Sequence, residues 1–175
     1  MSLLDNLDPE TLSPSRLWGE MDPASRRLAV ETVYGDAVDD ETARAEVDAA
    51  IAAAMRFRTA TVRKLPQHKR VDYALRALRP DDTLASTLLL VLHLGRRREI
   101  LEAFLDHLGI AHERGTIREH ALEPPSVERL AAAVDDLYAR FAGDQVDLYL
   151  AALLAMEPDA WAGLIPALES RKRGA

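Results

Sequence analysis

The residues best suited to chemistry in this chain are three histidines close together, His107, His112 and His120, with Glu113 and Glu119 beside them. Imidazole and carboxylate are the ligands that Zn, Fe, Mn or Ni would take in a site without thiolates, and a helix end with the loop after it can supply them. The chain has no cysteine, which excludes disulfides, thiolate metal sites and a Cys nucleophile. The histidine spacing matches no metal signature, and there is no His-Glu-x-x-His pair. The structural alternative puts His107 on the outer face of a helix near its C-terminus, where an imidazolium interacts favourably with the dipole, and leaves His112 and Glu113 as loop residues. The same stretch offers His112, Glu113, Arg114, Ile117 and Arg118 to a protein partner, because binding residues concentrate on long loops carried by a formed scaffold. A phosphate cradle is not expected between Gly109 and Gly115, since the segment follows a helix C-terminus whose partial negative charge repels phosphate. No nucleophile elbow and no Ser, His and acid grouping stands out, so the reading leans against catalysis and no cofactor is expected.

The second candidate is a block of positive charge. Residues 56–98 carry eleven Lys or Arg and three acids, between a stretch 1–55 with twelve acids and four bases and a stretch 99–175 with fourteen acids and seven bases, within an overall net charge of −7. Gathered on one face, Arg56, Arg63, Lys64, Lys69, Arg70 and Arg76 would neutralise phosphates and bind nucleic acid or another polyanion in a salt-dependent way. Against this stand an acidic pI of about 5.2, only Phe57 and Tyr73 nearby as stacking aromatics, and no nucleic-acid-binding signature. The competing expectation is that these cations pair with the acidic helices before and after them, each exposed pair contributing about 0–1 kcal/mol. A protein partner therefore ranks above nucleic acid.

Both candidates must be held by helices. Ser13-Pro14 and Asp22-Pro23 are N-cap and first-turn pairs, and Gly35 is a natural stop. Asp39, Asp40 and Glu41 open an apolar-striped stretch read as one long helix to about Lys64, with a break at 57–59 as the competing reading. Its Ala49–Ala54 segment would let a neighbouring helix approach closely. Pro66 starts the next helix. Asp81 or Asp82 caps a helix that is apolar nearly all round from Leu84 to Leu94, and such a helix belongs in the middle of a bundle. His93 within it reads as a core histidine, and Trp18 and Trp161 as core or interface anchors. After the corner Arg96–Arg98, the stripe Ile100, Leu101, Phe104, Leu105 and Leu108 ends at Gly109, a left-handed Schellman position. Ser126 caps the following helix, Gly143-Asp144 is read as its stop and the cap of the next, and Pro166 should kink or shorten the last.

The fold expectation is all-α: an irregular multi-helix bundle or short α-solenoid of about eight to nine antiparallel helices. A weak internal duplication relates the three-helix stretches 66–108 and 125–168. One domain is expected over 1–175, with 1–12 as a docking or frayed arm and 109–125 as an irregular loop. No apolar run reaches the roughly 18 residues a spanning helix requires, so no membrane association is expected. The start has no basic region and Asp5 interrupts it early, so the cytoplasm is the expected location. The function expected is a cytoplasmic, non-catalytic protein-interaction or regulatory module that binds a protein partner or a second copy of itself. Polyanion binding through 56–98 and a metal-dependent activity at the His/Glu loop 107–120 are the alternatives.

Overall fold

Side-chain caps mark the start of four of the described helices, and apolar periodicity decides which way the helices face. A computed structural model describes residues 3–5, 8, 11–38, 40–118 and 123–174. Among these it contains ten α-helices: α1 (Pro14–Glu20), α2 (Pro23–Tyr34), α3 (Glu41–Met55), α4 (Thr59–Arg63), α5 (Gln67–Ala77), α6 (Asp82–Gly95), α7 (Arg98–His107), α8 (Val127–Arg140), α9 (Gly143–Met156) and α10 (Leu164–Gly174). The only strands among the described residues, β1 (His112–Glu113) and β2 (Thr116–Ile117), pair antiparallel, with His112 opposite Ile117 and Glu113 opposite Thr116. The chain is all-α, and no described helix is long and apolar enough to cross a membrane.

Asp22, Asp40, Asp81 and Ser126 each accept a hydrogen bond from a backbone N–H in the first turn of the helix that follows. Two helix ends differ from expectation. The long helix to Lys64 is two: Arg56 adopts the left-handed conformation at φ 56° and ends α3, with Phe57 N–H bonded back to Ala52 O at 2.8 Å. A straight continuation would carry Val62 away from α3, whereas the turn folds α4 back on α3 with Val62 fully buried. At the α8–α9 junction the N-cap is Ala142, without a side-chain cap, and Gly143 and Asp144 fall inside the first turn of α9, where the carboxylate complements the dipole. The last helix is the shortened form of the two expected at Pro166: α10 starts only at Leu164, after Trp161, and the missing proline N–H falls in a first turn that has no partner for it.

The chain divides into two compact units, one of residues 14–96 and one of 1–13 with 97–175. The boundary lies in the arginine corner between α6 and α7, inside the stretch 66–108. In the first unit α6 is the axis on which α1, α2 and α3 pack. Its Leu88, Leu89 and Leu92 have no exposed surface, and each such side chain contributes about 2 kcal/mol by leaving water. It is not enclosed all round, since Leu90 is 50% exposed. Gly95 permits the close approach of α2: a Cβ there would lie 2.5 Å from Thr32 Cγ2. In the second unit Phe104 sits against Tyr149 and Trp161 at ring-centroid distances of 5.5 and 5.6 Å, inside a core supplied by α7, α8, α9 and α10. Leu4 and Leu12 of the N-terminal arm pack against this core, and Leu3 N–H donates to Asp147 on α9 at 3.2 Å.

Candidate functional site

The histidine stretch begins where α7 stops. Gly109 is left-handed at φ 63°, with Gly109 N–H bonded to Asp106 O at 3.0 Å and Ile110 N–H to Leu105 O at 2.9 Å, the two bonds of a Schellman motif. Part of the segment expected to be irregular is then a tight hairpin. Its two central residues, Arg114 at φ 51° and Gly115 at φ 86°, both have positive φ, the geometry whose twist suits a two-residue β-turn. Sequence pattern alone misses this turn because arginine disfavours that conformation. The hairpin is pinned by His112. Gly115 N–H donates to its Nδ1 at 3.2 Å, which places the imidazole proton on Nε2, and Nε2 lies 3.0 Å from Asp106 Oδ1 in the last turn of α7. Arg118 and Glu113 form an exposed ion pair at 3.0 Å, Ile117 packs against the core, and Arg114 stands exposed at the tip.

His107 and His112, the two of these histidines among the described residues, have separate partners. Both ring nitrogens of His112 are engaged in the hairpin, and His107 Nδ1 is 3.9 Å from Asp136 Oδ2, itself 3.0 Å from Arg140 Nη1. His120 and Glu119 lie outside the described residues. Among the described residues no three His, Asp or Glu side chains are grouped to hold a metal ion.

The positive block is built differently from the expected pairing. The left-handed end of α3, the short α4 and Pro66 turn the chain twice in quick succession between Arg56 and Lys69. Arg56, Arg63, Lys64, Lys69 and Arg76 are all exposed, as is Arg58, and none makes an ion pair with an acid among the described residues. Arg70 is the exception. Its guanidinium is 3.4 Å from Asp48 Oδ2 and lies over the Tyr34 ring at 4.4 Å from the centroid. Tyr34 donates its hydroxyl to Asp48 Oδ1 at 2.8 Å. Burial first, then the hydrogen bond and the charge of Asp48, raise the Tyr34 hydroxyl far above the ordinary tyrosine range, with Arg70 working in the opposite direction. Asp72, the one acid on α5, faces Arg27 at 3.4 Å. Phe57 is 40% exposed and meets Tyr73 edge-on, centroids 5.8 Å apart at 87°.

An open groove of about 800 Å³ is lined by Ala50, Ala53 and Ala54 of α3 and by Leu78, Pro80 and Leu84. Part of the small-residue face expected to receive a helix therefore faces open space. Arg79, Glu46 and Asp81 stand at its rim, Glu46 accepting from Thr87 at 3.3 Å and Asp81 capping α6.

Two polar clusters escaped sequence reasoning. Asp48 is one. The other is Asp147, buried on α9, which accepts from Tyr138 Oη while Arg171 stacks over the Tyr138 ring at 4.2 Å. The available signal was an acid on an apolar stripe, between Val47 and Ile51 in one case and Val146 and Leu148 in the other. No protein-family model, curated protein or solved structure matches the chain.

Proposed function

We propose that the protein is a non-catalytic binding module that takes an anionic macromolecular partner through the cationic corner formed by the end of α3, α4 and the start of α5. The observation that carries this reading is the exposure of Arg56, Arg58, Arg63, Lys64 and Lys69 without ion-pair partners among the described acids, in a stretch 56–71 that holds six Lys or Arg and no Asp or Glu, with Arg76 exposed further along α5. Like charges held together on a folded surface repel one another, and an anionic ligand relieves that repulsion while releasing its own counterions. Arg70, tied to Asp48 and Tyr34, serves as the anchor of the corner and the other cations as its contact surface. The test is retention on immobilised heparin across a salt gradient. Wild-type protein elutes late and the double substitution Arg63→Glu, Lys64→Glu elutes early; flow-through of the wild type at low salt overturns the reading.

A second reading keeps a protein partner at the hairpin. It is favoured by the way His112 orders the turn and leaves Arg114, Glu113 and Arg118 exposed. Replacing residues 111–123 by a Gly/Ser linker abolishes capture of such a partner; capture that survives the replacement removes the hairpin from consideration.

A further inference from the structure

The face of α5 that carries the cations also carries an aromatic platform. Val71, Ala74 and Leu78 are buried, which turns Lys69, Tyr73 and Arg76, at spacings of four and three, together onto the opposite side of the helix. Phe57 and Tyr73 form a T-shaped pair in which Phe57 remains 40% exposed, and its chain neighbours Arg56 and Arg58 are exposed cations. The order along α5 is thus Lys69, Tyr73, Arg76, with Phe57 against Tyr73 and an exposed cation on each side of Phe57 in the chain. The acid nearest this face in sequence, Asp72, is held by Arg27.

We infer that this face binds single-stranded nucleic acid, with an unpaired base stacked on Phe57 and the flanking phosphates on Lys69 and Arg76. The inference rests on the anionic-partner reading and narrows it. An acidic polypeptide offers carboxylates and a flat ring only where it happens to carry an aromatic side chain, and duplex nucleic acid keeps its base faces stacked inside. A single strand presents both a π-face and a chain of phosphates, the combination that aromatic platforms in basic grooves accept without sequence preference.

The experiment is fluorescence anisotropy of labelled oligo(dT), oligo(U), a blunt duplex and poly-glutamate titrated with the full chain at about 50 and 200 mM salt. Oligo(dT) and oligo(U) are expected to bind more tightly than the duplex or poly-glutamate. Phe57→Ala weakens the single strands by about tenfold or more and leaves poly-glutamate unchanged, while Phe57→Trp restores the single-strand affinity. Lys69→Ala and Arg76→Ala each reduce the steepness of the salt dependence by about 0.7 in log–log slope. The Trp variant and the poly-glutamate arm guard against Phe57→Ala acting through misfolding. Equal affinity for all four probes, or single-strand binding indifferent to Phe57, overturns the inference and leaves the anionic-partner reading standing. Failure of every polyanion at low salt overturns both.

Discussion

Raising the pH tests the buried tyrosines directly. Tyr34 and Tyr149 both hold their hydroxyl protons far above the usual tyrosine range: Tyr34 by burial and by donating to Asp48, Tyr149 by burial. In an unfolded chain a tyrosine gives up its proton near pH 10, roughly. The folded state therefore keeps protons that the unfolded state loses, so this stability is fully present below that pH and lost above it. Each tyrosine contributes a slope of about 1.4 kcal/mol per pH unit, or about 2 kcal/mol by pH 11.5. For the pair that is about 4 kcal/mol, against a total stability of about 5–15 kcal/mol for a typical domain. Urea unfolding followed by circular dichroism at several pH values from 8 to about 11.5 should show a steep fall beginning near the tyrosine range. Tyr34→Phe and Tyr149→Phe should each remove one proton's worth of that slope. Because the two residues belong to different units, separate transitions, if resolved, should lose their slopes one at a time. An alkaline slope in Tyr34→Phe equal to that of the wild type would refute the argument, since the hydroxyl would then titrate alike in both states.

Three further outcomes follow from local geometry. His112→Ala removes the acceptor for Gly115 N–H and the partner of Asp106, costing the hairpin about 2 kcal/mol; amide exchange should show Gly115 losing protection while the amides of α9 keep theirs. Gly95→Ala drives a methyl group into Thr32 Cγ2 and should cost about 1–3 kcal/mol, with Thr32→Ser, which lacks that methyl, recovering most of the loss; a neutral Gly95→Ala contradicts the close approach. Arg70→Ala leaves the Asp48 charge without its cation and should cost about 2 kcal/mol in thermal or urea unfolding after allowance for the partial exposure of Arg70, whereas Lys69→Ala, one position away, should stay within about 0.5 kcal/mol.

Helix starts were legible because capping is local chemistry: Asp22, Asp81 and Ser126 each satisfy an N–H three residues on, and nothing distant competes. The stop at Gly109 was legible for the same reason. What escaped the sequence depended on tertiary contact. Arg56 takes a conformation its side chain disfavours because doing so returns Val62 to the core, a gain visible only once α4 lies on α3. Arg114 is held at positive φ in a hairpin whose pin, His112, acts through Asp106 six residues earlier. For the positive block, composition marked the cations of 56–98 but did not show that Arg70 finds a buried acid. Asp48 sits 22 residues before it, on a helix whose pattern had marked small residues rather than charge.

The two buried acids also say how the N-terminal arm is held. In both units a tyrosine near the end of one helix donates to an aspartate on the next, Tyr34 to Asp48 and Tyr138 to Asp147, and an arginine from a later helix covers the tyrosine ring. The recurrence relates α2, α3 and α5 to α8, α9 and α10, a different register from the duplication read in the sequence. The units differ at the second carboxylate oxygen. Asp48 gives Oδ2 to Arg70, but Arg171 is drawn to Asp135 on α8, and Asp147 Oδ2 receives Leu3 N–H instead. The arm thus supplies a donor to the carboxylate oxygen that corresponds to the one Arg70 meets in the other unit. Deleting residues 1–12 removes that donor together with the Leu4 and Leu12 packing, and should cost the second unit about 2–4 kcal/mol. Asp147→Asn in the truncated chain should recover part of the loss, because a neutral amide is cheaper to leave short of a donor than a carboxylate. Thermal unfolding of the three proteins checks it. A truncated chain that melts with the wild type would mean that the arm rests on the core without supporting it.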